Sequence, residues 1–474
     1  MALNMTRGLR IYLAILLAGI LLAGSAFPTI PPPARALSAE EEKKLGEKFL
    51  KEIKSHFPVV EDPFARRYIN ELGRYLARPV ETKYFQFRFY LINDETLNAF
   101  AGPGGHIFVF SGLITALDNV DELAAVICHE IAHVSARHLS RRIEQNKKIG
   151  LATLAGVLAG VLIGGKAAGA VITSSLAGGI QAQLHYSRKD ERQADQLGFR
   201  YMSRSGFRPS AMIDALKKIE QGQWFGTERM PPYLLTHPTG PERMANLDSL
   251  VMEEQPAIHD NPEARRFRDL FPYLQTFLRA TAEDDFNAEK AFIRDLEKDP
   301  ASPYPSLGLG IIYLDRADVD SALVQLEEAH KKDPGSPLIL KYLGMAYQMK
   351  GRDREAIPVF ERLAEADIQD RESRYLLALS RENIEEYEKA ADVLERLAHR
   401  PPVRPEVFYH LGICYGRTGR LAVAHYNFGR YFKKLGERKK ARFHFNKARK
   451  LAGDDQELIK KIEEARKKKG RIRS

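Results

Sequence analysis

Residues 343–360 read LGMAYQMKGRDREAIPVF, and the spacing of small and large side chains in this stretch returns along the C-terminal half of the chain. The pair Leu343-Gly344 has counterparts at a constant interval of 34 residues: Leu309-Gly310, Leu377-Ala378 and Leu411-Gly412. Each pair is followed by an alanine and then by a large apolar residue: Ala322, Ala356, Ala390 and Ala424, then Leu326, Phe360, Leu394 and Phe428. Because small residues let two helices approach and large ones fill the groove between them, this period predicts stacked helical pairs.

The interval of 34 residues is the length of a tetratricopeptide repeat. The same register extends backwards through Ala288 and Phe292, which predicts a further repeat whose first helix begins near Phe267. At the other end the signature returns after half a repeat, at Gly429 and Phe445. The second helix of one repeat is therefore expected to act as the first helix of the next.

Residues 261–470 are thus predicted to form an α-solenoid of tetratricopeptide repeats. Such arrays present a concave surface that holds peptides or other proteins, so protein partners are expected there. The alternative is that the array only caps the preceding domain.

Composition places limits on the remaining possibilities. The chain has 474 residues, of which 44% are hydrophobic and 28% charged, which indicates two or three ordered domains rather than disorder. The net charge of +10 is spread over the whole chain, and its one basic run, 467–473, has no interleaved aromatic residues. No nucleic-acid partner is therefore expected. Cys128 and Cys414 lie far apart, which argues against a structural disulfide.

The N-terminus has the order of a secretory signal peptide. Arg7 and Arg10 precede an apolar run, 11–22, and small residues follow it. Cleavage is expected after Ala26 or after Ala36, and residues 1–36 are assigned to a signal peptide and a Pro-rich segment. Retention of the segment as a membrane anchor is the alternative. In both cases the body of the protein faces an extracytoplasmic space.

A metal-binding pattern occurs on a predicted helix between Asn119 and Arg142, which Asn119 is expected to cap. His129 and His133 are four residues apart, so both rings leave one face of the helix and can bind a single zinc ion. Glu130 is offset from them and can reach a water at the metal as general base. Two ordinary histidines remain the alternative until a third ligand is found.

The third ligand is expected from the segment 187–195, predicted to be helical. Glu191 can complete the zinc site, and Asp195, one turn further on, can accept the free ring N–H of a liganding histidine. Asp190 is the competing ligand candidate. His138 lies on the wrong side of the helix and is expected to have a structural role.

These residues carry a family resemblance. His129-Glu130-x-x-His133, followed by Ser187-Arg188-x-x-Glu191-x-x-Ala194-Asp195, resembles the gluzincin family that includes the CAAX prenyl proteases, the HtpX heat-shock proteases and the mitochondrial protease Oma. Within it, the signal peptide and the repeats are similar to those of periplasmic members. The resemblance implies one Zn²⁺ per chain bound by His129, His133 and Glu191, with Glu130 as the catalytic base.

Two further segments gain a role from the resemblance. The alternating run 106–111 is predicted to be a strand, either an internal one or one whose free edge pairs with an extended substrate; the resemblance favours substrate binding. His106 departs from the family, in which an apolar residue is more usual. The resemblance also implies that His237 occupies the open zinc position in a latent enzyme, or else stabilises the oxyanion, and that Arg243 lies near the cleft.

The stretch 149–180 is rich in Ala, Gly, Val and Leu and approaches transmembrane length, but Lys166 interrupts it. We expect a packed helical hairpin or peripheral contact with a membrane rather than a span.

The sequence therefore predicts a mainly α protein. Residues 37–260 are expected to form a helical zinc-metallopeptidase domain with a small β-sheet, followed by the solenoid. The expected function is that of a periplasmic zinc-dependent endopeptidase in protein quality control. It would act on misassembled outer-membrane or envelope proteins that the repeats recruit. The repeats are also expected to bind the envelope assembly machinery. The alternative is a chaperone or scaffold whose protease is mostly latent.

Overall fold

The computed structural model describes residues 38–145, 186–221, 231–254, 261–282, 284–366 and 370–467. The predicted signal peptide and Pro-rich segment, and the apolar stretch 149–180, lie outside these residues. Within the described ranges, no helix is both long and apolar enough to cross a bilayer.

The N-terminal half combines helices with a small sheet. Its helices are α1 (Ala39–His56), α2 (Pro63–Leu76), α3 (Ser111–Ala116), α4 (Val120–Ser135), α5 (His138–Gln145), α6 (Arg188–Arg204), α7 (Ala211–Gln221), α8 (Pro232–Thr236) and α9 (Pro241–Glu254). The strands are β1 (Arg88–Ile92), β2 (Ala99–Gly102) and β3 (His106–Phe110). The predicted fold class, mainly α with a small sheet, is confirmed.

The sheet corrects one prediction. Its order is β1-β3-β2, so that β3 pairs in parallel with β1 and antiparallel with β2. The segment before β3 folds back through a turn at Gly104 and Gly105, whose φ angles of 74° and 84° suit glycine, and becomes β2. The predicted free edge on 106–111 is therefore wrong, because β3 is the internal strand. The edge strand is β2.

Helix α4 is the central helix of this half and is buried on all sides. The side chain of Asn119 accepts a hydrogen bond from the Glu122 amide at 3.1 Å, as the sequence predicts for a cap. Gly198 on α6 faces the α4 backbone, where a Cβ atom would lie 3.3 Å from the His129 amide nitrogen. A glycine here lets α6 approach α4 closely at the position of the metal-binding pattern.

The predicted helix between Asn119 and Arg142 is not continuous. Arg137 has a φ of 54°, which ends α4 and starts α5 in a new direction. Its guanidinium group contacts Glu42 of α1 at 3.1 Å. The break turns His138 back towards α4.

The C-terminal half is a series of helical pairs. They are α10 (Pro262–Ala280), α11 (Asp285–Lys298), α12 (Tyr304–Asp315), α13 (Val319–Lys332), α14 (Pro337–Met349), α15 (Asp353–Ala366), α16 (Arg371–Asn383), α17 (Tyr387–Ala398), α18 (Pro405–Arg417), α19 (Leu421–Lys434), α20 (Arg438–Leu451) and α21 (Gln456–Lys467). The predicted solenoid of repeats is confirmed.

Small and large residues meet within these pairs as the period predicts. A Cβ atom on Gly344 would lie 2.6 Å from the Phe360 ring, and one on Gly412 would lie 2.6 Å from Phe428. The same contact joins Gly429 of α19 to the Phe445 ring of α20, again at 2.6 Å. Helix α19 therefore acts as the second helix of one pair and the first of the next.

The first predicted repeat is longer than expected. Helix α10 begins at Pro262 rather than near Phe267, and it packs on the catalytic half as well as on α12. The Tyr68 hydroxyl of α2 donates a hydrogen bond to the Phe267 carbonyl at 2.8 Å. Gln275 donates through Nε2 to the carbonyl of Leu117 at 2.6 Å. Helix α10 thus belongs to both halves.

A second contact between the halves is a charged one. Lys341, on the first helix of its pair, lies 3.0 Å from Asp62 at the start of α2 and 3.1 Å from Glu372 of α16. All three side chains are less than one-third exposed. Helix α14 therefore contacts the catalytic half of the same chain.

Candidate metal centre

Three separate segments of the chain supply the buried polar cluster in the catalytic half. Helix α4 contributes two histidines and a glutamate, α6 contributes two acidic residues, and the segment from the end of α8 into α9 contributes a histidine and an arginine. Each of these residues is at most 7% exposed: His129, Glu130, His133, Glu191, Asp195, His237 and Arg243. The structure therefore brings together the three expected ligands, the expected base, and Asp195, His237 and Arg243.

Four of these side chains have ligand atoms that converge. His129, His133, Glu191 and His237 each offer one atom within 4.8 Å of the other three. The Nε2 atom of His129 lies 2.9 Å from Nε2 of His133 and 3.3 Å from Nδ1 of His237. Glu191 oxygens lie 3.3 Å from His129 Nε2, 3.4 Å from His133 Nε2 and 3.2 Å from His237 Nδ1.

These distances fit a metal ion. Ligand atoms about 2.0–2.1 Å from a tetrahedral zinc ion are separated from one another by roughly 3.3–3.4 Å. A carboxylate and several imidazole nitrogens with free lone pairs repel each other when they converge in a buried site, unless protons or a cation lie between them. The donor set of imidazoles and one carboxylate is one that zinc favours.

The orientation of His129 is fixed by Asp195. The Nδ1 atom of His129 lies 3.0 Å from Asp195 Oδ1, which leaves Nε2 directed into the cluster. Arg243 donates to both Asp195 oxygens, from Nε at 2.9 Å and from Nη2 at 2.8 Å. Arg243 therefore holds the carboxylate that in turn holds the histidine.

Arg243 also acts on Glu191, with Nη1 only 2.9 Å from Oε2. Burial alone would raise the pKa of Glu191, but the charge of Arg243, with His237 and His129, holds that pKa well below its usual value. Glu191 is thus kept as a carboxylate, which is the form that binds a metal.

His138 contacts His133, which was not predicted from the sequence. Its Nδ1 atom lies 2.9 Å from Nδ1 of His133, and its Nε2 lies 3.0 Å from the Gln193 side-chain oxygen. His138 is not among the converging ligand atoms, but it orients a histidine that is. The helix break at Arg137 creates this contact, and nothing in the spacing of the histidines indicates that break.

The competing ligand, Asp190, lies outside the cluster. It accepts hydrogen bonds from the amide and hydroxyl of Ser187 at 3.1 and 2.7 Å and so caps α6, and Arg142 donates to it at 3.0 Å. Burial would raise its pKa, but Ser187 and Arg142 lower the pKa to about 2. Asp190 is occupied with starting the helix that carries Glu191.

Glu130 faces the cluster without taking part in it. Its side chain is fully buried, and neither carboxylate oxygen has a hydrogen-bond partner among the described residues. The Nε2 atom of His237 lies 3.4 Å from Glu130 Oε1. Burial raises the pKa of Glu130 above its usual value.

His237 lies between two aromatic rings. Tyr233, one turn earlier on α8, stacks on it with ring centroids 4.6 Å apart, and Tyr186 lies 5.0 Å away on centroids. Tyr186 also contacts the His133 ring, with centroids 3.9 Å apart. Neither tyrosine was predicted from the sequence, although Tyr233 precedes His237 by four residues and Tyr186 directly precedes Ser187.

Family models match both halves of the chain. The description "Peptidase family M48" applies to residues 63–251, which contain the whole cluster. Tetratricopeptide repeat models match residues 313–380 and 375–425.

Curated relatives give the same division. The beta-barrel assembly-enhancing protease of Yersinia pestis is 34% identical over 242 residues, which cover 50% of this chain and 50% of the relative. Its counterpart in Escherichia coli (strain K12) is 33% identical over 231 residues, or 48% and 47% of the two chains. The mitochondrial metalloendopeptidase OMA1 of Schizosaccharomyces pombe is 25% identical over 244 residues, or 51% of this chain and 69% of the relative.

The chain spans about half the length of the first two relatives. The similarity to several proteases agrees with the matched domain models and with the cluster of metal-binding side chains. Residues 63–251 are therefore a peptidase family M48 domain, and tetratricopeptide repeats follow it in the same chain.

Proposed function

We propose that the chain is a zinc-dependent endopeptidase in which His129, His133 and Glu191 bind the metal. The observation that carries this proposal is the convergence of their ligand atoms at 2.9–3.4 Å in a buried site. A zinc ion bound there would act as a Lewis acid, polarising a peptide carbonyl and increasing the acidity of a water.

The protein's own groups supply the proton transfers. Glu130 is next to the ligands, and neither of its oxygens accepts a hydrogen bond from a described residue. Burial raises its pKa, which suits a group that accepts a proton and gives it back. It removes a proton from the attacking water and delivers it to the departing amine. Asp195 and Arg243 keep His129 in the tautomer that leaves Nε2 free.

His237 is proposed to hold the enzyme in a latent state. Its Nδ1 atom lies in the cluster as a fourth donor, where a hydrolytic site needs an open position. Its Nε2 atom lies 3.4 Å from Glu130, so the ring also separates the base from the water it would deprotonate. Activation then requires His237 to leave the cluster.

The direct test is hydrolysis of an unfolded protein substrate by Glu130→Gln. This change removes the base and no ligand, so the rate should fall roughly 100- to 10,000-fold while zinc content stays the same. Glu253→Gln, the same change at an exposed position of α9, is the matched control. Full cleavage by the Glu130 variant would contradict the mechanism.

The names of the relatives support a proposal about the setting. Two are called beta-barrel assembly-enhancing proteases, so we infer that this chain acts in the periplasm, in quality control of outer-membrane or other envelope proteins. Its repeats would recruit the substrates and the envelope assembly machinery. Capture by the Glu130→Gln form from envelope extracts, with and without residues 284–467, would test that recruitment.

A second function is favoured by the closed position of His237. A protein whose fourth ligand position is filled would spend most of its time inactive, and the repeats would then serve as a chaperone or scaffold. Complementation separates the two: Glu130→Gln should fail to rescue envelope assembly if proteolysis is essential. Rescue equal to that of the unaltered protein would favour the scaffold.

A further inference from the structure

A cleft of about 770 Å³ lies between the repeats and the catalytic half. One wall is formed by the end of α1, by α2 and by β1; the other is formed by the N-terminal ends of α16 and α18. None of the residues of the metal cluster lines it. The cleft is thus separate from the proposed catalytic site.

Arginines line both walls of the cleft. Arg74 and Arg88 lie on the catalytic wall, and Arg371 and Arg404 lie on the repeat wall. Among the residues that the structure describes, none of the four has a carboxylate within 4.0 Å. Their charges are therefore not neutralised by a neighbouring acid.

The acidic residues of the cleft have partners of their own. Glu61 lies 3.5 Å from Lys54 and 3.6 Å from Arg66, which also line the cleft. Glu71 contacts Arg266 at 3.0 Å, and Glu372 contacts Lys341 at 3.1 Å. Asp370 accepts hydrogen bonds from the first amides of α16, including that of Ser373 at 3.1 Å. The surface presented to a ligand is consequently positive.

The repeat wall adds to this positive potential through a helix end. Helix α18 begins at Pro405, and the preceding residue, Arg404, makes no side-chain cap. The unpaired amides and the helix dipole both favour a negative group at that end. This effect acts in the same direction as the four arginines.

The cleft also has an apolar and extended component. Its apolar side chains include those of Val60 and Tyr90, which are partly exposed, whereas Phe89 and Leu91 of β1 are buried in the core. Val60 extends the strand arrangement, since its amide donates to the Leu91 carbonyl at 2.8 Å. A narrow cleft between two walls excludes a flat membrane surface. An extended chain with acidic and apolar side chains fits both components.

We propose that this cleft binds an extended acidic segment of a partner or substrate protein. The proposal extends the repeat-mediated recruitment described above and rests on it. It would place the bound segment against the catalytic domain and the repeats at once, so that both halves of the chain contribute to selecting a partner.

The test measures binding without cleavage, so that it can fail while the peptidase proposal stands. A short fluorescein-labelled peptide that alternates Glu with Val is titrated with full-length Glu130→Gln protein, and fluorescence anisotropy is recorded. The acidic peptide should bind with an affinity that falls as salt rises, because exposed charges are screened. The same peptide with Gln in place of Glu should bind at least tenfold more weakly.

Charge-reversal variants locate the site. Arg371→Glu combined with Arg404→Glu should weaken binding about tenfold or more, and Arg74→Glu on the opposite wall should also weaken it. The control combines Arg354→Glu with Arg362→Glu, which makes the same change in net charge at exposed positions of α15. Circular dichroism confirms that each variant is folded.

Three outcomes would overturn the proposal. They are an acidic peptide that does not bind, a control variant that loses as much affinity as the cleft variants, or an oligothymidylate that binds more tightly than the peptide and depends on the same arginines. The last would assign the cleft to single-stranded nucleic acid.

Discussion

The two halves of this molecule are stabilised by different kinds of buried contact. In the part of the catalytic half that the structure describes, buried side chains of Asp, Glu, Lys, Arg and His are frequent: Glu42, His106, Asp121, Glu122, His129, Glu130, His133, His138, Arg142, Glu191, Asp195, His237 and Arg243. In the described residues 284–467, Asp353 alone of the Asp, Glu, Lys, Arg and His residues is buried to this degree. The repeats are instead held by close contacts between small residues and aromatic or aliphatic ones.

This difference predicts different sensitivities. Buried ionisable groups make the catalytic half depend on protonation and on metal, because each group is costly to bury unless it is paired. The repeats should respond to changes of side-chain volume and hardly at all to metal removal. The experiments that follow separate these two behaviours.

Loss of a ligand should have the largest effect. Glu191→Ala removes the carboxylate shared by three imidazoles, so zinc content should fall from about one equivalent to a small fraction of it, and hydrolysis should be lost with it. Elemental analysis of the purified protein measures the metal. Asp190→Ala is the neighbouring control: Asp190 caps α6 and does not belong to the cluster, so this variant should retain its zinc. A Glu191→Ala protein with a full equivalent of zinc would transfer the ligand role to another residue.

Replacement of His237, which is proposed to hold the enzyme latent, should raise the rate of hydrolysis rather than lower it. His237→Ala opens the fourth position and should raise the rate of hydrolysis and self-cleavage about tenfold or more, with zinc retained by the other three ligands. Cleavage is followed with an unfolded protein substrate. A decrease in rate with unchanged metal would instead assign His237 to stabilising the oxyanion.

His106 tests the dependence on protonation away from the metal. It lies on β3, 2% exposed, and burial, with a smaller contribution from Arg88, lowers its pKa from 6.5 to about 4. The unfolded chain therefore takes up a proton at a higher pH than the folded one. Stability is fully present above pH 6.5 and falls as the pH is lowered towards 4, by about 2–3 kcal/mol at pH 4.5.

The variant His106→Phe should not show this acid-dependent loss of stability. Urea unfolding at pH 7.5 and pH 4.5 compares the two proteins, and the other buried histidines contribute equally to both. The decrease in unfolding free energy should be about 2–3 kcal/mol smaller in the variant. Equal decreases would show that His106 does not contribute to acid sensitivity.

The smallest effect is expected in the repeats. Gly344→Ala places a methyl group 2.6 Å from the Phe360 ring and should cost about 1–3 kcal/mol of unfolding free energy. Gly416→Ala is the matched control, because its new Cβ atom would lie 3.9 Å from that of Ala424, an ordinary contact. The difference in unfolding free energy between the two variants should be the same with and without a zinc chelator. A difference that disappears on chelation would mean that the two halves unfold as one unit.

The same contrast explains what the sequence could predict. In the repeats each contact joins residues about half a period apart, so Gly344 and Phe360 are visible to one another in the sequence. The spacing of His129 and His133 is equally local. Contacts that depend on a turn of the chain were not predictable in this way: His138 meets His133 because Arg137 breaks the helix, and 106–110 becomes the internal strand because 99–102 folds back on it.

The central claim is that three distant segments form one zinc site and that His237 closes it. X-ray absorption at the zinc edge of the resting, full-length protein tests this most directly, because it counts imidazole ligands. We expect three imidazoles and one carboxylate in the unaltered protein, and two imidazoles with the carboxylate in His237→Ala. Two imidazoles in both proteins would contradict it.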